Sequence, residues 1–428
     1  MNTTARTASP KEPPSDYLSA KEAARMLGVK IPSLYSYVSR GVIRSVMQPG
    51  TRARLYYRED VESAGKRMGG RAGIPDTVET AVRWGQPMLA SSVTELTDGG
   101  PRYRGRDAIE MARRGRSFES VSELLWSGLD FPALPCWSHP EPPSEVFRRV
   151  EVACKDAGGL TSGRLMVLTN VMVALSMPEK PDFERGTTMA DAASLICLYA
   201  SAMGLLGPAK RIVRPVSGRP VAELLAAALL PGKSSEEAVQ AINAALVVCA
   251  DHELSPSTLA ARVAASTGAE LRACLHAAIA THSGIRLGGG CDRAEQLLAA
   301  ARNPEDLRRS IGTLESAGRQ VPGFNLIAYP KGDPRARFLL ELASQLPGAA
   351  KTSYGRLEPL LKEAETSFDL KPSIEVGLIG LAMALKLPPR GASALWTIGR
   401  CAGWTAHVVE QRLAGFMLRP RAKYVPPA

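Results

Sequence analysis

A chain of 428 residues exceeds the usual single-domain size, and 45% hydrophobic with 22% charged residues is the balance of a soluble globular protein with a large core. The seven cysteines, at 136, 154, 197, 249, 274, 291 and 401, show no close pairing, which argues against structural zinc and for reduced thiols in a cytoplasm. The net charge of +11 is uneven: residues 1–75 hold 13 Lys/Arg against 6 Asp/Glu, a net +7, and the remaining 353 residues carry only +4. Such a basic head suits a polyanionic partner. Aromatic residues are only 5% while alanine and leucine recur throughout, which favours packed helices over sheets.

Residues 1–16 lack an apolar core and read as a disordered leader rather than a signal peptide. In YLSAKEAARMLG, Ser19 with Glu22 makes a capping box, Ala23, Ala24 and Leu27 make an apolar face, and Gly28 stops the helix. A second helix starts near Pro32, lined by Leu34, Tyr35 and Val38, and Gly41 ends it. The stretch VMQPGTRARLYYRED alternates around a Pro-Gly turn and reads as a hairpin or wing carrying Arg52, Arg54 and Arg58. Together, residues 17–66 resemble the winged helix-turn-helix of the MerR and excisionase families. The resemblance implies binding of double-stranded DNA, with Ser33, Ser36, Tyr37 and Arg40 on the groove-entering helix and Arg52 and Arg54 on phosphates. The alternative is a protein–protein module. Residues 67–75 read as a linker.

Beyond it, Asp107 starts a helix, and Ser117 and Gly128 bracket the next. Ser194–Ala209 is apolar but short and rich in small residues, so it reads as a core helix rather than a membrane span. Ser234 and Glu237 suggest a capping box opening a helix that runs to Cys249, and the pattern breaks at His252-Glu253-Leu254-Ser255-Pro256. Further helices cover 373–387 and 391–415.

Six motifs over residues 76–428 resemble the citrate synthase family, 2-methylcitrate synthases included: YRGRDAIEMA, DHELSPSTLAARVAASTGA, GIRLGGG, VPGFNLIAYPKGDPRA, SFDLKPSIEVGL, and GRCAGWTAHVVEQRL followed by LRPRAKYV. The resemblance implies an all-α fold, with a large helical domain and a small helical domain at about 291–376. It also implies an obligate homodimer, a cleft for oxaloacetate and an acyl-CoA, and no further cofactor or metal. By the same resemblance Asp369 is the catalytic base, and His252, Arg335 and Arg400 bind the dicarboxylate. Arg419 reaches into the partner subunit's site. Three guanidinium groups around one dicarboxylate make a strong anion site.

Two positions depart from the family pattern. Leu287 stands where the enol-stabilising histidine is expected, and Leu326 where the carbonyl-polarising histidine is expected. Leucine donates no hydrogen bond. Asn325, Arg286 and His282 are the nearby residues able to replace a lost donor, Arg286 being best placed; His282, His276 and His407 otherwise read as packing or surface histidines. Two readings follow. One is a condensing enzyme impaired by the double loss. The other is a dicarboxylate- or CoA-responsive DNA-binding regulator built on the same scaffold.

Overall fold

The computed structural model describes residues 17–27, 29, 31, 34–35, 38, 43, 45–47, 54–58, 60–62, 89–131, 137, 144–155, 157–175, 180–420 and 424. The chain divides into two compact units, Met1–Ala90 and Ser91–Ala428. The linker expected at 67–75 lies outside the described residues.

In the first unit, β1 (Tyr17–Ser19) leads directly into α1 (Ala20–Leu27). The capping box forms: the Ser19 N–H donates to Glu22 Oε2 at 2.8 Å, and the Glu22 N–H donates to Ser19 Oγ at 3.3 Å. Strands β2 (Ser45–Met47) and β3 (Arg54–Tyr57) pair antiparallel, as a wing requires. An unexpected feature is that β1 pairs with the other edge of β3, giving the order β1-β3-β2. Ala23, Ala24 and Leu27 bury against Leu34, Ile43, Tyr56 and Val61. Helical Ile31 and Val38 pack at the edge of this small core.

The second unit opens with a small antiparallel sheet, β4 (Thr94–Thr97), β5 (Gly100–Tyr103) and β6 (Arg106–Asp107). The rest is helical. Helix α2 (Ala108–Arg113) is capped by Asp107, and α3 (Phe118–Ser127) runs from the Ser117 cap to left-handed Gly128, as the sequence indicates. Then come α4 (Ser144–Cys154), α5 (Ser162–Ala174), α6 (Asp182–Arg185), α7 (Thr188–Ala202), α8 (Val221–Leu229) and α9 (Glu236–Cys249). Thr188–Leu205 is long and apolar enough to cross a membrane, but 72% of it is buried inside the fold. The α9 cap is Ser235, not Ser234: its Oγ accepts from the Ala238 N–H at 3.2 Å. Adjacent serines offer two caps, and the extended backbone at Ser235 selects the second.

The remaining helices are α10 (Pro256–Ser266), α11 (Leu271–His282), α12 (Gly288–Ala300), α13 (Pro304–Ser316), α14 (Pro334–Gln345), α15 (Leu357–Phe368), α16 (Ile374–Leu385) and α17 (Gly391–Ala414). Helix α17 is buried along most of its 24 residues and packs against α3, α9, α10 and α16. Two glycines set critical approaches. A Cβ on Gly403 would lie 2.1 Å from Asp251 Oδ1, and one on Gly377 would lie 2.7 Å from Ala336 Cα. The first lets α17 touch the end of α9; the second seats α16 on α14.

Candidate active site

The described residues bring five chain segments to one buried cluster. The α9–α10 turn supplies Asp251 and His252, and α17 supplies Arg400 from its middle. The loop before α14 supplies Tyr329 and Asp333, α14 supplies Arg335, and the first turn of α16 supplies Glu375. Backbone bonds tie the two loops together: Ser373 N–H to Gly323 O at 2.9 Å and Asp333 N–H to Pro372 O at 3.2 Å. The Asp333 carboxylate caps α14 and also accepts from the Ile374 N–H at 3.2 Å, so it joins the starts of α14 and α16.

Each buried arginine has one carboxylate partner. Arg335 Nε and Nη2 donate to Asp333 at 3.0 and 2.7 Å in a forked pair, leaving Nη1 without an acceptor among the described residues. Arg400 Nη1 donates to Asp251 Oδ1 at 3.1 Å, while Nη2 meets Ser255 Oγ and Thr258 Oγ1 at 3.2 and 2.7 Å. The other Asp251 oxygen lies 3.2 Å from His407 Nε2, and His407 Nδ1 lies 3.0 Å from Arg262, which pairs with Glu410. Burial works against ionised Asp251, but His407 and Arg400 prevail and hold its carboxyl below the ordinary range. His407 is therefore more than packing: it orients the aspartate that orients Arg400.

Four buried polar atoms in this region have no protein partner: His252 Nε2, Tyr329 OH, Glu375 Oε2 and His282 Nε2. Buried polar groups are nearly always satisfied, so these atoms are candidate contacts for a bound ligand or water. His252 and Tyr329 make an edge contact with ring centres 5.7 Å apart, and the Arg335 guanidinium lies 5.6 Å from the Tyr329 ring centre. Burial, followed by the charges of Arg335 and Arg400, holds His252 neutral, well below the ordinary histidine value. Burial raises the Glu375 carboxyl to about 7, with the Asp333 charge adding to the rise. A carboxylic group poised there can take or give a proton near neutrality.

Asp369 does not join the cluster. It ends α15 in the left-handed region at φ 51°, its side chain is 90% exposed, and its carboxylate pairs with Lys371 at 3.3 Å. Glu375, six residues on, is the carboxylate of this motif that lies within the cluster. Pro372-Ser373 precedes a helix, which places Glu375 in its first turn.

Leu287 and Leu326 are half-buried, Leu287 at the N-terminus of α12 and Leu326 in the loop before Tyr329. Of the replacement donors, Asn325 is exposed and its Oδ1 accepts from the Lys371 N–H at 2.8 Å, and Arg286 is exposed. His282 is buried against Trp396 and Trp404, and a Cβ on Gly288 would meet its Nε2 at 2.8 Å. Burial pushes its pKa down to about 3, so it is a neutral imidazole, five residues before Leu287 at the start of α12. Arg419 is exposed beyond α17, and the Leu418 N–H donates to Ser266 Oγ at 3.0 Å. In the first unit Arg54 is exposed and its Nη1 donates to Ser45 Oγ at 3.3 Å; Ser33, Ser36, Tyr37, Arg40 and Arg52 lie outside the described residues.

Residues 82–421 match the family model for the citrate synthase C-terminal domain. The chain belongs to the citrate synthase family. Residues 17–64 separately match a helix-turn-helix domain model. Citrate synthase 2 of Bacillus subtilis is 26% identical over 367 residues, covering 81% of this chain and 96% of the relative. A citrate synthase of Saccharolobus solfataricus is 28% identical over 358 residues, covering 78% and 93%. A 2-methylcitrate synthase of Shewanella oneidensis is 31% identical over 209 residues, covering 46% and 53%. Among solved structures, Thermoplasma acidophilum citrate synthase, in ternary complex with carboxymethyl coenzyme A and oxaloacetate, superposes with a TM-score of 0.71 at 22% identity, covering 82% of this chain and 96% of that one. The likeness establishes the citrate synthase fold for the helical unit.

Proposed function

We propose that the helical unit grips an oxaloacetate-like dicarboxylate between Arg335 and Arg400 and receives an acyl-CoA beside it, as a cytoplasmic homodimer with no other cofactor. The observation that carries this reading is the set of orphaned atoms on His252, Tyr329 and Glu375 around two buried guanidinium groups. The relative from Thermoplasma holds oxaloacetate and a CoA analogue, which supports the ligand classes. Arg335 Nη1 and His252 Nε2 are the groups that meet the oxo acid, and Glu375 is the group that removes the acyl α-proton. Arg419 of the partner subunit completes the anion site. Exposed apolar Val171, Leu175, Leu259, Val263, Leu413 and Phe416 support a helix-on-helix dimer face.

The condensation is slow in this reading, because Leu287 and Leu326 leave the enol and the polarised carbonyl without donors. One lost oxyanion-type donor costs roughly 100- to 1,000-fold in rate. A thiol-release assay with acetyl-CoA or propionyl-CoA and oxaloacetate should show turnover at least about 10³-fold below that of a family member with both histidines. Turnover on the order of 10 per second overturns the impairment.

A second reading is favoured by the helix-turn-helix match at 17–64 and the +7 head. Here the slow or silent helical unit senses its ligands, and the first unit binds double-stranded DNA.

A further inference from the structure

We propose that a second ligand site, separate from the Arg335–Arg400 cluster, binds an aliphatic organic anion. The site is a cavity of about 1050 Å³, at the upper end of small-molecule sites, which run roughly 300–1,000 Å³. It lies among the end of α4, the turn after α7, the C-terminal halves of α12 and α16, and the start of α17. No residue of the active cluster lines it. Glu295 and Ala299 lie two to three turns along α12 from Leu287, and Ala382 and Met383 lie two turns along α16 from Glu375. At 1.5 Å per residue the two sites are about 10–18 Å apart along the same two helices.

The walls specify an aliphatic body. Leu160, Leu205, Leu206, Met383, Leu387 and Pro389 line the cavity, and among the described lining residues none is aromatic, so nothing stacks on a flat ring. The rim specifies the charge. Lys155, Lys210, Arg211, Arg356, Lys386 and Arg390 face two carboxylates, Glu151 and Glu295. Lys155, Arg211, Arg356 and Lys386 have no carboxylate partner among the described residues and are exposed to a ligand. Both carboxylates are already engaged: Glu151 Oε1 accepts from the Ile212 N–H at 3.0 Å, and Glu295 Oε2 from the Arg390 N–H at 2.8 Å. Burial also raises Glu295 to about 7, which reduces its repulsion of an anion near neutrality. An apolar cavity ringed by unpaired cations selects an anionic head on a saturated tail, and either a carboxylate or a phosphate meets that requirement.

Calorimetric titration of the full chain tests it, with decanoate and decyl phosphate as probes and decanol and decylammonium as controls, all below their micelle concentrations. One saturable site per chain is expected for one or both anions, with the controls at least about 10-fold weaker; the stronger anion identifies the head group. Arg211→Glu and Lys386→Glu, both at exposed positions, should each weaken the anion at least about 10-fold, and Ala299→Trp, which fills the cavity from an exposed helix face, should abolish binding. Arg400→Ala should leave decyl-anion binding unchanged. The inference is overturned if neither anion binds, if decanol binds as well as decanoate, if the charge reversals and Ala299→Trp have no effect, or if Arg400→Ala removes binding, which places the probe in the active cluster instead. None of these outcomes bears on oxaloacetate binding, so the two proposals stand or fall separately.

Discussion

Glu375 keeps its proton to about pH 7 because burial disfavours the carboxylate and Asp333 adds a like charge nearby. A raised pKa means the folded state holds the proton more tightly than the unfolded chain. Its contribution to stability is therefore complete below about pH 4.5 and is lost as pH rises through about 7, by on the order of 3 kcal/mol at most. Glu375→Gln removes this dependence. Thermal melts from pH 5 to 8 should show the variant gaining on wild type as pH rises, with the gap levelling off above 7; parallel curves would mean Glu375 titrates normally. His282 has the opposite sign. Its folded pKa is depressed to about 3, so acidification below about 6.5 favours the unfolded chain, and His282→Phe should blunt the loss of stability between pH 6.5 and 4. Arg400→Ala acts on two quantities. It leaves Asp251 with one fewer partner and lowers the baseline melting temperature, and it should also erase the increment produced by oxaloacetate. The increment is the informative readout; if it persists, Arg400 is only structural.

Between elements, the approach of α17 to the end of α9 decides whether Arg400 meets Asp251. The Gly403 N–H donates outside its own helix, to Ala250 O at 2.9 Å, and a Cβ there would sit 2.5 Å from that same oxygen. Gly403→Ala must push the helices apart and should cost about 2–4 kcal/mol in a denaturant titration. Gly399→Ala, whose Cβ would meet Cys249 Cβ and Leu246 O at 3.0 Å, should cost less. Equal midpoints for Gly403→Ala and wild type would show that the contact gives way freely. The same element logic explains the active cluster: the α14 and α16 N-termini meet through Asp333, so Arg335 and Glu375, forty residues apart in sequence, arrive together.

For the whole molecule, assembly and DNA binding are linked expectations. In the proposed site Arg419 of the partner subunit completes the anion grip, so light scattering at micromolar concentration should report a dimer; a monomer would remove Arg419 from the site. A dimer carries two basic heads, and the second contact is made at high effective concentration. Mobility-shift titration should show duplex binding that falls steeply with salt. Arg52→Ala with Arg54→Ala should weaken it; unchanged binding, or none by wild type, would end the DNA role. If oxaloacetate or CoA shifts the affinity by about 5- to 150-fold, the helical unit acts as the sensor.

The sequence by itself determined the family, the order of helices, the helix starts at Ser19, Asp107 and Ser117, and the two leucines in place of donors. These rest on local chemistry: caps, 3.6-residue periodicity and residue identity are all read within a few positions. It did not show that Asp369 is exposed while Glu375, six residues on in the same motif, is buried, because both are carboxylates and only packing tells them apart. One ends a helix in solvent beside Lys371; the other starts a helix inside the core. Nor did it show that Arg400 answers to Asp251, 149 residues away, or that β1 pairs with β3. Those outcomes depend on which distant surfaces come together, and proton affinity follows from that packing, because the cost of a charge is set by what surrounds it.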